Sequence, residues 1–397
     1  MEDSKKKICF VVQRYGLEVN GGAELQCRLF AEHMLEAGYE VHVITTKAVD
    51  YMTWKNEYTE DTETINGVVV HRFATEIERK KKKFDFINRI FLTGLLPKWA
   101  EKYWFKAQGP YSPELVEYIK ENRNNYDAFI FSTYLYYPTV EGMNYVKDKA
   151  IFIPEAHEEP MIYLNALKKV FEMPQAYFFN TDEERVMANK HFDIKNIPYE
   201  IGGIGIDKLG DVSAERFKEK YGLDRYYLYV GRIEQAKNCE LMFEYFNKYK
   251  KDSHDEDIKL VLIGKECMDI PESDDIIKLG FVSDEDKNDA MAGAVALLMP
   301  SKFESLSMVV LEAMSLNTPV LVNGECEVLR GHCKKSKGAF YYYSYEEFLH
   351  ELNYINHNTD DMNHIKKNAC EYVENNYSWD AIVRKLSKLI NLTIKEK

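Results

Sequence analysis

Residues 295–322 read VALLMPSKFESLSMVVLEAMSLNTPVLV. An apolar run of strand length gives way to a short polar loop, then to an apolar helical stretch that Pro319 prevents from continuing, then to a second β-branched run. Ser305 or Ser307 is the expected N-cap. Strand, loop, helix, strand is the repeating unit of a parallel sheet covered by helices. Within it, Glu304 falls in the loop beyond the first strand, and Glu312 lies about two turns into the helix. A carboxylate among apolar residues is costly without a partner, so a cationic or hydroxyl-bearing one is expected.

The same alternation extends in both directions. Candidate strands are 7–12, 40–45, 68–73, 127–132, 150–154 and 176–180 in the first half, and 226–230, 259–264, 276–282, 295–300, 319–322 and 339–343 in the second. After the first strand, AELQCRLFAEHMLEAG (23–38) predicts a helix with Leu25, Leu29, Phe30, His33, Met34 and Ala37 on its apolar face and Gly38 closing it. The fold class is α/β, with two Rossmann-like domains at 1–203 and 204–376. Their seam falls in GGIGID (202–207), where three glycines in four positions break any regular element. Residues 377–397, an amphipathic helix, are expected to cross back onto the first domain.

Composition narrows the functional classes. A chain of 397 residues that is 45% hydrophobic, with 28 Tyr and 21 Phe, can fill two or three cores. A net charge of −13 argues against a nucleic-acid partner, whose phosphates demand a basic face. One local exception is Arg79-Lys80-Lys81-Lys82-Lys83, followed by the aromatic stretch FDFINRIFLTGLLPKWAEKYWF (84–105). Such a segment can rest on an anionic membrane surface or grip an anionic or lipid-linked substrate, or form a solvated loop leading into an ordinary core helix. The 7 cysteines show no CxxC pair and fit a reducing, cytoplasmic compartment. The apolar run after the N-terminal lysines is too short for a secretory leader, and no apolar stretch is long enough to span a membrane.

Four further sites bear on chemistry. Gly21-Gly22, in RYGLEVNGGAEL (14–25), precedes a helix start and lets backbone approach an anion, although it is no GxGxxG. In GRIEQAKN (231–238) a strand turns at Gly231 and offers Arg232 and Lys237, a pair suited to diphosphate oxygens. His157, in IPEAHEEP (153–160), follows another strand end. Asp255-Glu256-Asp257 mimics a metal-binding DxD but reads as a solvated loop.

Taken together, the glycine pair, GRIEQAKN, His157 and PSKFESLSMVVLEAM (300–314), with its two glutamates eight residues apart, resemble the family 4 glycosyltransferases, a retaining group of GT-B fold. The resemblance spans nearly the whole chain. It implies two facing domains with a deep cleft, and a nucleoside diphosphate sugar donor, UDP-sugar ahead of GDP-sugar, with no metal or other cofactor. By the same resemblance, Arg232 and Lys237 would hold the diphosphate and Glu304 the donor sugar. Backbone N–H groups at Ser307, Met308 and Val309 would cap the distal phosphate, and Glu312 would accept from the ribose hydroxyls. Gly21 and Gly22 would approach the phosphate from the first domain, with His157 near the anomeric centre. The sequence departs from the family's usual pattern at Ser305 and Ser307, where glycines are common, and at Gly264-Lys265-Glu266, where Gly-x-Gly is common.

The resulting expectation is a cytoplasmic hexosyltransferase acting on a glycan, lipid-linked or protein-linked acceptor in surface polysaccharide assembly. The alternatives are a sugar-nucleotide epimerase on the same fold and an inactive glycosyltransferase-like binding subunit.

Overall fold

Short runs that are apolar on both faces become central strands, because only there are both faces covered. The computed structural model describes residues 5–19, 21–92, 98–207, 210–253, 255–304 and 306–394. The chain divides into Met1–Ile204 with Trp379–Lys397, and Gly205–Ser378.

In the first unit the strands are β1 (Lys7–Val11), β2 (Glu40–Thr46), β3 (Thr62–Ile65), β4 (Val68–Phe73), β5 (Ala128–Ser132), β6 (Ala150–Ile153), β7 (Ala176–Phe179) and β8 (Tyr199–Ile201). They lie in the order β3-β4-β2-β1-β5-β6-β7-β8. All neighbours are parallel except β3 and β4, which form an antiparallel hairpin. Asn66 (φ 50°) and Gly67 (φ 85°) make its turn, in the left-handed conformation that an Asn-Gly pair supplies. Neither β3 nor β8 was expected, since both are short edge strands with polar or exposed residues.

The second unit carries β9 (Tyr226–Val230), β10 (Lys259–Ile263), β11 (Ile276–Gly280), β12 (Ala296–Met299), β13 (Val320–Asn323) and β14 (Phe340–Tyr342), all parallel. Their order, β11-β10-β9-β12-β13-β14, reverses direction between β9 and β12. Open α/β sheets bind ligands outside the carboxyl ends of the strands that flank such a reversal. The first unit has its own reversal between β1 and β5.

Helix Gly22–Glu36 buries Cys27, Phe30, Ala31 and Met34, as an apolar stripe requires. It differs from expectation at Ala37, which is exposed, and at Glu24 and Gln26, which are buried and hydrogen-bonded. The last helix, Trp379–Thr393, packs on the first unit, with Leu386, Leu389 and Ile390 buried. Phe30 meets Phe178 edge-on at 5.4 Å between ring centroids and Trp379 at 5.9 Å, and His33 stacks on Trp379 at 3.8 Å. Phe30 therefore ties helix Gly22–Glu36 to both the sheet and the last helix. Phe30→Ala should cost about 3–5 kcal/mol, through lost burial and a residual cavity. Urea denaturation should show the first unit melting earlier, and an unshifted transition would mean that the last helix is held elsewhere.

Candidate active site

Around the second unit's reversal, two loops are pressed together by glycines. Gly231 and Gly264 end β9 and β10 with φ of 148° and 136°, and a Cβ on Gly264 would lie 2.0 Å from the Gly231 carbonyl oxygen. Backbone bonds Gly231 N–H to Ile263 O (2.9 Å) and Ile233 N–H to Lys265 O (2.8 Å) zip the loops together. Gly264-Lys265-Glu266, although it departs from the family pattern, thus follows a regular path beside the Gly231 turn. Tyr229 donates its hydroxyl to the Arg232 carbonyl at 2.7 Å. With its backbone so fixed, the Arg232 side chain points outward, 64% exposed, and meets only Glu234 at 3.2 Å among the described residues.

Lys237 closes a short 3₁₀ turn, and Asn238 follows with φ 59°, a conformation that Asn tolerates better than most residues. The Asn238 side-chain amide donates to the Pro300 carbonyl at 3.1 Å, and Asn323, at the end of β13, donates to the same oxygen at 3.1 Å. That clamp brings the loop after β9 to the loop after β12. Across it Lys237 Nζ donates to Glu304 Oε1 at 2.7 Å.

Beyond Glu304, helix Met308–Ser315 opens at Ser307. Ser307 makes no side-chain cap; instead it adopts φ 62°, the left-handed conformation a glycine would take there more easily. Ser305 lies outside the described residues. The N–H groups of Val310 and Leu311 both return to the Ser307 carbonyl, so those of Ser307, Met308 and Val309 precede the first intrahelical bond. Because the helix opens at Met308, Glu312 sits little more than one turn in. Its partner is Lys287, at 3.3 Å from Oε2, close enough for an ion pair. That oxygen is buried and makes no hydrogen bond among the described residues beyond this ion pair. Lys287 was not expected at this site, nor was His332, which bonds the Leu306 carbonyl at 2.9 Å and the Tyr372 hydroxyl at 3.0 Å and so holds the loop from behind.

Asp255 pairs twice with Arg225, at 3.1 and 3.0 Å, just ahead of β9 and β10. That is the amino end of the sheet, away from the site. Among the described residues no group of three or more His, Cys, Asp or Glu could hold a metal.

In the first unit, Gly21 and Gly22 open the helix after β1, with Gly21 in extended backbone. A Cβ on Gly21 would meet the Glu24 carboxylate at 2.1 Å. Beneath it Arg14 pairs with Glu24 at 2.6 Å, each side chain only 6% exposed, and Gln13 donates to the same Glu24 oxygen at 2.8 Å. His157 is exposed, four residues past the end of β6. Nearby in sequence, Glu155 adopts φ 53°, and burial, with Glu184 and Glu24 close by, holds its carboxyl well above the usual range. Glu184 accepts from the Ala156 and Asn180 N–H groups at 2.7 and 2.8 Å, yet burial outweighs these bonds and raises its pKa to about 7. Residues Gln13, Arg14, Glu24, Glu155 and Glu184 escaped the sequence reading, because their partners are set by the fold.

Residues 212–372 match the family described as Glycosyl transferases group 1. An uncharacterized glycosyltransferase of Methanocaldococcus jannaschii is 23% identical, with 98% of this chain and 99% of that protein covered. Among solved structures, sucrose-phosphate synthase from Thermosynechococcus elongatus is similar with a TM-score of 0.68 at 14% identity, covering 98% of each chain. HepE of Anabaena, in complex with UDP and glucose, gives 0.65 at 12%, covering 97% of this chain and 99% of that one. An E. coli trehalose-6-phosphate structure with bound UDP-2-fluoro glucose gives 0.67 at 11%, covering 97% and 99%. The fold is GT-B, and the matches together support an enzyme of the glycosyltransferase class.

Glu184 also sets a pH dependence. Its folded pKa of about 7 lies above the ordinary 4.5, so the folded state keeps a proton that the unfolded chain releases. Its contribution is whole below the ordinary value and is lost as pH rises through about 7, a fall of about 3 kcal/mol. Denaturation of the wild type at pH 5 and pH 7.5 should show this decline, and Glu184→Gln should reduce it, leaving the part due to Glu155, whose carboxyl burial also raises. An equal slope in the variant would assign the titration elsewhere.

Proposed function

We propose that the protein is a retaining, metal-independent hexosyltransferase that moves a sugar from a nucleoside diphosphate donor, UDP-sugar ahead of GDP-sugar, to a glycan, lipid-linked or protein-linked acceptor. The observation that carries this reading is the Lys237–Glu304 pair, held by the Pro300 clamp at the carboxyl ends of β9 and β12. In the reaction, the bond between the anomeric carbon and the phosphate oxygen breaks, the acceptor oxygen attacks from the same face, and its proton passes to the departing diphosphate. Charge builds up on that leaving group, so fixed cations and helix N–H groups are what lower the barrier.

Arg232 is an accessible cation for this task, since its side chain is exposed and meets only Glu234 among the described residues. Lys237 meets the diphosphate while Glu304 turns its other oxygen to sugar hydroxyls. The N–H groups ahead of helix Met308–Ser315 receive the distal phosphate. Glu312, paired with Lys287, accepts from the ribose hydroxyls. Gly21 and Gly22, at a helix start, and the exposed His157 are the first unit's own candidates for phosphate and sugar contacts. We assign the reaction to the cytoplasm, in surface polysaccharide or glycoconjugate assembly, an assignment that the seven free thiols support.

Arg232→Ala and Lys237→Ala should each lower turnover by roughly 10²–10³-fold, the loss typical of removing one charge-stabilising donor. Product release from a panel of UDP- and GDP-sugars measures this, and near-normal rates in both variants would overturn the diphosphate assignment. Activity should persist in excess chelator; loss that added divalent metal restores would show that a metal ion shares the work.

A further inference from the structure

Residues 79–106 hold nine cations against two acids, a net +7 in a chain whose total is −13, so the remaining residues carry −20. Helix Lys81–Leu92 and helix Glu101–Gln108 of the first unit arise from this segment. Phe84 and Phe91 pack around Trp104 at 6.3 and 6.4 Å between ring centroids, and Asn88 accepts from the Trp104 ring N–H at 3.1 Å. This 84, 88, 91 stripe is the inner face of the helix. Phe86 lies about 200° around from Phe84 at 100° per residue, so it projects outward, 65% exposed. Lys82, Lys83 and Arg89, all exposed, are its neighbours at helical spacings of four, three and three.

The second helix repeats the arrangement. Trp104 and Phe105 are buried while Tyr103 is 56% exposed, edge-to-face at 6.0 Å with Trp99, itself 66% exposed. Lys102 Nζ stands 5.1 Å from the Tyr103 ring. Arg79, by contrast, is withdrawn from this surface. It is half-buried, 5.0 Å from the Trp54 ring and 4.5 Å from Phe84, and bonded to the Gln108 carbonyl. The cationic run is thus not the contact in itself, and Lys81's side chain lies outside the described residues.

Among the described residues no acid pairs with Lys80, Lys82, Lys83, Arg89 or Lys102. Some exposed lysines elsewhere do find one, as Lys120 does with Glu117, Lys218 with Asp224 and Lys220 with Asp286; what sets this patch apart is that five such cations lie together around exposed rings. In a chain with 65 acids, unpaired cations around exposed aromatic rings match a surface that is anionic outside and apolar just beneath. A soluble polyanion would account for the cations and leave the three rings unexplained. We propose that the outward faces of helices Lys81–Leu92 and Glu101–Gln108 form a docking surface for an anionic lipid bilayer, with Phe86, Trp99 and Tyr103 entering the headgroup region.

The test is vesicle sedimentation of the whole chain. Binding should be strong on phosphatidylcholine containing about one third phosphatidylglycerol, weak on phosphatidylcholine alone, and reversed by salt. Lys82→Gln/Lys83→Gln/Lys102→Gln should weaken it by about 100-fold, roughly fivefold per cation. Phe86→Ser/Trp99→Ser should weaken vesicle binding and spare any binding to heparin. All five side chains are exposed, so an unchanged thermal melt checks folding. A blue shift of tryptophan emission on vesicles, lost in Trp99→Phe, places that ring in the bilayer. Equal binding to neutral and anionic vesicles, or vesicle binding indifferent to the lysine changes, overturns the proposal. Indifference to the aromatic changes alone also overturns it, and makes the patch a polyanion site.

Discussion

The Pro300 carbonyl is the point on which the second unit's site depends. A buried carbonyl at the end of a strand must find donors, and here two side-chain amides share it, Asn238 from beyond β9 and Asn323 from the end of β13. Three adjacent strand ends are thereby fixed to one atom. Each bond is worth only about 1 kcal/mol. Their effect is geometric, because the Lys237 ammonium and the Glu304 carboxylate ride on the backbone that the clamp joins. A pair set 2.7 Å apart by rigid loops needs little further ordering when a ligand arrives.

The carboxylates of this protein divide by how they are satisfied. Glu24 is ringed by Arg14 and Gln13 within the first unit's core. Glu155 and Glu184 lack such a cation, and burial pushes both toward the neutral form. Glu304 and Glu312 stand between these extremes, each with one lysine as its ion-pair partner among the described residues. A carboxylate held by a single cation is less fully satisfied than Glu24, and that is the state a site proposed to recognise hydroxyls would use.

Most strands were legible because burial on both faces leaves a continuous apolar run; β11 and β14, at the edges of the second sheet, still carry enough β-branched or aromatic residues to be read, and all twelve expected strands form. β3 and β8 were not, since these two edge strands are short and carry polar residues, although Asn66-Gly67 held a hairpin signal that could have been read. Of the candidate site, the motif residues were visible because turn glycines and strand-end cations occupy fixed places in the repeating unit. Lys287 and His332 were invisible, being 25 and 26 residues from the groups they touch. Ser307 shows a different limit. A serine before a helix normally signals a side-chain cap, but here the backbone takes the left-handed form and the hydroxyl is not used. Arg79 shows a third, for a cation beside four lysines reads as surface until the fold stacks it between Trp54 and Phe84.

Charge is segregated within this chain, and that has a physical consequence. A net −13 opposes approach to any anionic surface, but salt screens charges beyond about 8 Å at physiological ionic strength. Within that distance only the groups facing the surface count, and around Phe86 those are Lys82, Lys83 and Arg89, with Asp85 the acid among them. The acids elsewhere then act as an orienting force: turned toward the bilayer they are repelled, turned away they are screened. A uniformly mixed surface of the same total charge would have no preferred face. On the proposed bilayer surface the aromatic rings would add short-range affinity only after that face has been selected, so the cations would choose the orientation and the rings would hold it.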